Sequence, residues 1–307
     1  MAGALQPEGF ELQPDGADFA DEGGSEDASH LLPAIRPLPD DTAFAEGAYY
    51  TVKLADLAPG AAPRQLGTIL GTQFFAALSD MAVFGRDDAG ATFRELGPND
   101  NETREMLVAM ELVPSSGAAL TEDEFPMFDM VASRIAKKLE RAKQPGGEAT
   151  SAAMARSRKL VGLKGSLGKT YGLKLAGQFD AARITDCALC LGLKRQGDGF
   201  GWVVNGQTIF GVRAHGLSLA PGAAGSSATV EFTFKPAASP QPKKVLERMF
   251  TAANYFAKKL GGEVQTLAGQ KAGTQIMTGE DAGLLKLLQE ISDLGLRPGN
   301  VVTQRLA

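Results

Sequence analysis

Two cysteines, Cys187 and Cys190, form a C-x-x-C pair, the first candidate in this sequence for redox or metal chemistry. In redox proteins this motif stands at the start of a helix, where the helix dipole lowers the pKa of the first thiol. Here the pair lies inside an apolar, helix-like stretch, residues 184–191, where cysteines at helical spacing behave as small hydrophobic residues. A structural zinc site needs a second pair of ligands, and the sequence has only 2 cysteines. The pattern therefore favours a structural role.

A glycine-rich stretch, residues 162–170, has the Gly-Lys-Thr ending of a phosphate-binding loop. The phosphate-loop pattern requires an earlier glycine at the position where Leu163 stands. That motif also needs a buried strand before it and a helix after it, whereas basic residues precede this stretch and a strand-like pattern follows it. The sequence therefore favours a flexible, basic connector. A nucleotide-dependent enzyme that uses residues 162–170 is kept as an alternative.

The remaining polar residues argue against most catalytic sites. His30 and His215 are the only histidines in the sequence, which leaves too few for a histidine-rich metal site and disfavours a catalytic triad. The basic residues lack the interleaved aromatic residues of single-strand nucleic-acid binders. We therefore expect no enzymatic activity, no cofactor, no metal, no nucleic acid and no small-molecule substrate.

The segments that carry these residues are arranged as a long repeat. An apolar run, a proline and a helix-like stretch ending in Ala-Lys-Lys-Leu occur twice, and the two final leucines, Leu139 and Leu260, are 121 residues apart. A repeat of this length is a domain rather than a solenoid unit. Each copy reads as strand, helix, three strands and helix. The sequence thus predicts an α+β fold with two tandem domains, each with a mainly antiparallel sheet and helices on one face.

The boundaries follow from composition. Residues 1–41 carry ten acidic side chains and one basic side chain, which leaves a net charge of +4 on the remainder. We predict a disordered acidic tail over residues 1–44, because a segment rich in Gly, Pro, Asp and Glu without hydrophobic periodicity cannot offset its ordering entropy. Residues 45–143 are assigned to the first domain and residues 144–168 to a linker with a short helix. Residues 169–307 are assigned to the second domain, with an amphipathic helix near its end.

Location is predicted from what the sequence lacks. There is no run of about 18 apolar residues of the kind that crosses a membrane, and the first residues do not have the pattern of a secretory signal. The 2 cysteines are typical of a reducing compartment. We therefore expect a cytoplasmic protein.

A hairpin around Asn205 and Gly206 gives the sharpest expectation about binding. Asn-Gly is the preferred centre of a type I′ turn, and a two-residue turn would place Trp202 opposite Ile209. Both faces of the hairpin would then be apolar, although helices in such a fold cover only one face of the sheet. The surplus face must meet a partner peptide or the sister domain. The candidate peptide-binding residues are Phe200, Trp202, Val204 and Ile209.

The second half resembles the C-terminal FtsZ-binding domains of ZipA-like bacterial cell-division proteins. The resemblance is carried by Thr-Ile-Phe at residues 208–210 in a hairpin strand, by Leu-Ala-Pro-Gly at residues 219–222, and by Gly-Gly-Glu at residues 261–263 after a helix-like stretch. The first half is similar to the extra N-terminal copy of a two-domain ZipA-like group, in which Ser-Gly-x-x-Leu-x-Glu-x-Glu-Phe opens the last helix. That pattern stands here at residues 116–125, and residues 284–306 are also similar to this group.

The resemblance implies a protein-interaction module of cell division and septation. Its family binds the C-terminal peptide of FtsZ on an apolar sheet face, which in this chain would include Trp202 and Ile209. Members of the family carry a membrane helix before a charged linker, whereas this sequence shows only an acidic, linker-like stretch, so the resemblance leaves membrane contact at the division site open. FtsZ, or another protein that presents a short apolar peptide, is therefore the expected partner. A structural scaffold whose sheet faces are packed internally is kept as a further alternative.

Overall fold

The computed structural model describes residues 27–35, 44–144, 147–272 and 274–306 of the chain. Two antiparallel sheets and the helices packed on them make up these residues, which confirms the predicted α+β class. The arrangement of elements within each half departs from the predicted order in several places.

The first unit is built on a four-stranded sheet with strand order β1-β4-β2-β3. Its strands are β1 (Tyr49–Lys53), β2 (Met81–Arg86), β3 (Arg94–Glu95) and β4 (Glu105–Glu111), and its helices are α1 (Leu66–Leu70), α2 (Thr72–Ala76) and α3 (Glu124–Lys138). The sequence predicts one helix over residues 64–78, but this segment forms two helices separated at Gly71. Gly71 has a φ of +91°, in a region of backbone space where glycine is favoured because it has no Cβ.

Helix α4 (Thr150–Leu167) connects the two units. Its buried residues, Ala153, Ser157, Leu160 and Leu167, recur at three-, four- and seven-residue steps and pack on the first unit. The Ser157 hydroxyl donates to the Leu112 carbonyl and accepts a 2.8 Å hydrogen bond from the Leu120 amide. The prediction of a flexible connector over residues 162–170 is therefore wrong for residues 162–167, because a stripe of buried side chains holds these residues in α4.

The second unit contains a six-stranded sheet with strand order β10-β5-β9-β8-β7-β6. Its strands are β5 (Tyr171–Asp180), β6 (Lys194–Gln196), β7 (Gly199–Val204), β8 (Gln207–Ala214), β9 (Ser226–Phe234) and β10 (Glu263–Thr266), and its helices are α5 (Ala181–Cys190) and α6 (Pro242–Leu260). Strands β6 and β10 were not predicted. Helix α6 crosses one face of this sheet and contacts β5, β8 and β9.

Two helices at the end of the chain, α7 (Thr274–Asp293) and α8 (Val301–Leu306), contribute to both cores. Leu284 of α7 belongs to the second core, whereas Leu287, Ile291, Leu296 and Leu306 belong to the first. We call residues 284–306 the C-terminal arm. The predicted second domain includes all of this arm, but most of the arm's buried leucine and isoleucine side chains complete the first unit.

The C-terminal arm approaches the first unit closely at two points. A Cβ added to Gly47 would lie 1.5 Å from the carbonyl oxygen of Leu294, so only glycine allows this contact. Arg305 donates a 3.3 Å hydrogen bond to the Tyr49 hydroxyl and pairs with Glu111 at 2.7 Å. Backbone shape and an ion pair thus both fix the arm.

Residues 27–35, here called the N-terminal segment, lie against the second unit. Ala28, Leu32 and Ile35 belong to the second core, and the Ala28 amide donates a 2.8 Å hydrogen bond to the Cys190 carbonyl. The prediction of a disordered tail over residues 1–44 is wrong for these residues, because their apolar side chains are buried against the second unit. Residues 1–26 and 36–43 lie outside the described residues.

Candidate functional site

A β-bulge in the β7–β8 hairpin decides which way the predicted peptide-binding residues point. Trp202 pairs with Phe210, whereas the next residue, Val203, pairs with Thr208, so Ile209 is the extra residue on β8. The predicted pairing of Trp202 with Ile209 is therefore wrong by one position. A shift of one residue moves a side chain to the other face of a sheet.

The bulge brings the large apolar side chains of the hairpin onto the face that α6 covers. Phe200 pairs with Val212, which pairs with Phe232, and the Phe232 ring packs edge-on against Phe256 of α6. Phe200 is 1% exposed, and Trp202 and Ile209 are each 5% exposed. These three candidate residues are therefore part of the second core. Val204 alone of the four predicted residues is partly exposed.

The opposite face of the second sheet carries small and polar side chains. A row across four neighbouring strands consists of Gly172, Thr233, Gly211 and Gly201, and the adjacent row contains Lys174, Glu231 and Arg213. We call these two rows, together with Val203 and Thr208, the open face. Thr233, Gly211, Lys174, Glu231 and Val203 are partly exposed, and Arg213 and Thr208 are exposed. The sequence signal for this face was the alternation along β9, where Glu231 and Thr233 lie between buried residues.

The corresponding face of the first sheet is filled by the chain itself. Tyr50 contacts Phe125 and Phe128 of α3, so Tyr49, its neighbour on β1, points to the other side of the sheet. There Phe44 stacks on Tyr49 with ring centroids 5.5 Å apart and meets Phe84 at 4.9 Å. A second aromatic residue from outside the central strands, Phe93, lies 6.1 Å from Phe44. Aromatic side chains therefore close the half of this face nearest Tyr49.

Charged residues occupy the other half of that face. Glu105 lies between Arg86, at 3.0 Å, and Lys53, at 3.1 Å. The hydrogen bond from Arg86 lowers the pKa of Glu105 and keeps this carboxylate charged. The Arg86 guanidinium also lies 4.4 Å from the centre of the Phe93 ring. This network leaves the first sheet without an open apolar surface among the described residues.

The cysteine pair has the surroundings of structural residues. Both cysteines are free and lie in α5, with Cys187 buried and Cys190 partly exposed. Burial raises the pKa of the Cys187 thiol to about 11, so this thiol stays protonated at neutral pH. A protonated, buried thiol is a poor nucleophile and a poor metal ligand.

The glycine-rich stretch does not form a phosphate-binding loop. Residues up to Leu167 lie within α4, and β5 begins at Tyr171, so no helix follows the Gly-Lys-Thr sequence. A phosphate loop depends on backbone amides at the start of a following helix. His30 and His215 are both exposed and far apart in sequence. Within the described ranges, no three of the His, Cys, Asp and Glu residues are grouped as metal ligands.

A cleft of about 230 Å³ lies where the first sheet, α4 and the C-terminal arm meet. Its charged lining residues include Asp80, Glu111, Lys164 and Arg305. Arg305 is paired with Glu111, and Asp80 accepts a 2.8 Å hydrogen bond from the Ser115 amide. Burial raises the pKa of Glu111, and the positive charge of Arg305 reduces this rise. Three of these four charged groups thus hold the seam between elements together.

Comparison with known proteins adds no relative. No protein-family model matches the chain, and no curated protein sequence matches it. Among the helices that the structure describes, none is both long enough and apolar enough to cross a membrane. The likeness to ZipA-like proteins is carried by the sequence motifs alone.

Proposed function

We propose that this chain is a non-enzymatic protein-interaction module of bacterial cell division, in which the second unit binds a short peptide on its open face. By resemblance to ZipA-like proteins, the peptide is the C-terminal tail of FtsZ. One observation supports the choice of surface: the described chain fills the face of the first sheet opposite α3 but leaves the face of the second sheet opposite α6 partly exposed.

The shape of the open face suits an extended or turned peptide. Gly211 lacks a side chain and is partly exposed, so the row has a shallow trough at its centre, whereas Gly172 and Gly201 are buried next to the side chains of Leu267 and Thr208. Val203 provides apolar contact at one end of the trough. Lys174 and Arg213, on the adjacent row, supply positive charge for acidic residues of a peptide. Close approach to the sheet backbone is the usual reason for glycine at such positions.

The predicted anchor residues take a different part in this proposal. Phe200, Trp202 and Ile209 are buried under the strands and support the open face from below. Val204, at the tip of β7, is partly exposed, but it alternates with Val203 and packs against the second core on the covered side of the sheet. The peptide is therefore expected to lie over Gly211 and Val203 rather than against Trp202.

Gly211 offers a clean test of this surface. A Cβ added to Gly211 would meet only the Phe200 carbonyl oxygen, at 3.9 Å, which is ordinary van der Waals contact. Gly211→Val therefore fills the trough without straining the sheet. We expect a labelled FtsZ tail peptide to bind the wild-type chain saturably in fluorescence anisotropy, and the valine variant to bind it at least about tenfold more weakly.

Gly162→Ala on α4 is the matched control, because a Cβ at Gly162 has no neighbour within 4 Å. This control should bind the peptide with wild-type affinity. An absence of saturable binding to the wild-type chain would overturn the FtsZ assignment. Equal affinities of the wild-type chain and Gly211→Val would overturn the assignment of the surface.

A structural scaffold is the second candidate, and the burial of Trp202 and its neighbours favours it over the predicted apolar anchor. A scaffold would hold its two units in a fixed arrangement through α4 and the C-terminal arm. It predicts no saturable peptide binding at the open face, so the same titration separates the two functions.

A further inference from the structure

The second unit already holds a peptide on its helical side, namely the N-terminal segment of the same chain. This segment reaches the end of α5, where the Ala28 amide donates to the Cys190 carbonyl, and it also contacts α6. Gly192 lies directly beneath it, because a Cβ at Gly192 would be 3.1 Å from the Ser29 Cβ. The end of α5, Gly192 and α6 thus form a groove that is distinct from the open face.

The segment fills this groove with regularly spaced apolar side chains. Ala28, Leu32 and Ile35 are 6%, 5% and 4% exposed, and they occupy positions i, i+4 and i+7. Residues 29–31 form a single 3-10 turn and the rest of the segment is not helical, so an irregular peptide carries the three buried side chains. The residues that face away from the groove, His30, Pro33 and Ala34, are exposed. The segment therefore has a binding side and a solvent side.

Few polar contacts tie the segment to its groove. Among the described residues, the bond from Ala28 to Cys190 is the backbone hydrogen bond that joins the two. Asp27 bonds within the segment, where its carboxylate accepts a 2.9 Å hydrogen bond from the Ser29 amide. Hydrogen bonding to the Ser29 side chain, followed by the bond to its amide, lowers the pKa of Asp27. The attachment thus depends on apolar side chains, three of them buried and Leu31 partly buried, as in a short linear peptide, rather than on a strand added to the sheet.

We propose that residues 27–35 are an exchangeable peptide ligand of the second unit, and that the groove beneath them is a peptide-binding site which the chain keeps occupied with its own residues. Three apolar anchors bind weakly on their own. A covalent tether raises the effective concentration of such a ligand to the millimolar range, which keeps the groove filled. The proposal does not depend on FtsZ binding, because the two sites lie on opposite sides of the sheet.

The test converts the tethered segment into a free one after the chain has folded. A specific protease site is inserted between residues 36 and 43, the purified chain is cleaved, and the released fragment is removed by gel filtration. A labelled peptide of residues 24–36 is then titrated. We expect saturable binding to the cleaved chain and binding at least about tenfold weaker to the uncut chain, whose groove is filled.

Two peptide variants carry the same added charge on opposite sides of the segment. Leu32→Asp should abolish binding, since Leu32 is buried in the groove, whereas His30→Asp should bind like the wild-type peptide. In the uncut chain, Leu32→Asp should open the groove and increase binding of the wild-type peptide about tenfold. Gly211→Val should leave this binding unchanged, which separates the groove from the open face.

The proposal would be overturned if the cleaved fragment eluted together with the chain and the chain bound no labelled peptide. Residues 27–35 would then be a permanent part of the core. Equal binding of the wild-type and Leu32→Asp peptides would also overturn the proposal. Dimers that form on mixing cleaved and uncut chains would support exchange and would identify a second copy as the occupant.

Discussion

The two sheets of this chain differ in how many of their faces are covered. In the first sheet, β4 is a continuous apolar run between Glu105 and Glu111, and all of its residues except Glu111 are buried. In the second sheet, β9 alternates, with Val230, Phe232 and Phe234 buried and the residues between them partly exposed. A continuous run is typical of a strand buried on both faces and an alternating one of a strand with a solvated face.

The contrast shows which sheet has an apolar face that its main helix does not cover, and which residues of the chain cover that face instead. The first sheet has such a face, and Phe44 and Phe93 cover it from within the chain. The second sheet has none, because the bulge at Ile209 turns the large hairpin side chains toward α6. The open face of the second unit therefore carries small and polar side chains rather than a broad apolar surface.

The largest effect is expected at Trp202. Its side chain is 5% exposed and packs 5.5 Å from the Phe210 ring, so Trp202→Ala should leave a cavity and reduce the free energy of unfolding by about 3–5 kcal/mol. Val203→Ala, on the open face, should cost less than about 1 kcal/mol. Urea unfolding measures both. Similar small losses would mean that Trp202 is exposed and that the two sheets do not differ as described.

The next effect concerns the C-terminal arm. Gly47→Val should force the arm away from the first unit, because the added Cβ overlaps the Leu294 carbonyl. We expect a loss of about 2–3 kcal/mol in the free energy of unfolding and faster proteolysis within residues 284–306. Gly90→Val is the control, since a Cβ there has no neighbour within 4 Å. Unchanged proteolysis of Gly47→Val would show that the arm does not complete the first core.

A matched pair of substitutions directly compares the face of the first sheet opposite α3 with the face of the second sheet opposite α6. Ala109 lies on the covered face of β4 and is 0% exposed, so Ala109→Val should overpack it and cost about 1–3 kcal/mol. Gly211→Val, on the open face, should change the free energy of unfolding by less than about 0.5 kcal/mol. Thermal and urea unfolding measure this difference. A larger loss at Gly211 than at Ala109 would reverse the comparison.

The smallest effect is a pH-dependent one at the seam of the first unit. Burial raises the pKa of Glu111, so the proton it binds adds stability below its unfolded pKa of 4.5, and this contribution is lost as the pH rises through the higher folded value. The positive charge of Arg305 stabilises the charged carboxylate of Glu111 and so offsets part of the free-energy cost of burying it. The Arg305 side chain is 52% exposed, so solvent screens the pair. Arg305→Gln should therefore cost up to about 1 kcal/mol at pH 7.

At pH 4, Glu111 is protonated and the loss caused by Arg305→Gln should nearly vanish. Lys271→Gln is the control, because the Lys271–Glu263 pair is exposed and should contribute little at either pH. Urea unfolding of the wild-type chain and both variants at the two pH values checks this prediction. An equal loss at pH 4 and pH 7 would show that Arg305 acts through packing rather than through Glu111.

Local patterns predicted the parts of this structure that depend on local physics. Asn205 and Gly206 both have positive φ, at 50° and 81°, as a type I′ turn requires, and the α+β class followed from the order of runs. The pairing two residues further on was not predictable in this way. Whether Ile209 bulges depends on which side chains α6 covers, and that is a tertiary contact.

Composition concealed two further features. The spacing of Ala28, Leu32 and Ile35 is visible in the sequence, but neighbouring acids and glycines gave the whole segment the composition of a disordered tail. In α4, Gly162 and Gly165 suggested a loop, yet both are exposed on the solvent side of a helix fixed by its buried stripe. In each case a few buried side chains outweighed the average composition.

The C-terminal arm also sets the order in which the chain can fold during translation. Strands β1 to β4 leave the ribosome long before Leu287, Ile291, Leu296 and Leu306, which their core requires. Elements β5 to β10, with α5 and α6, emerge in between and can assemble at once. Until the arm is synthesised, the first core lacks these four side chains, and α4 is the helix between the two units that can already pack on it. The unit that is synthesised first therefore completes its fold last.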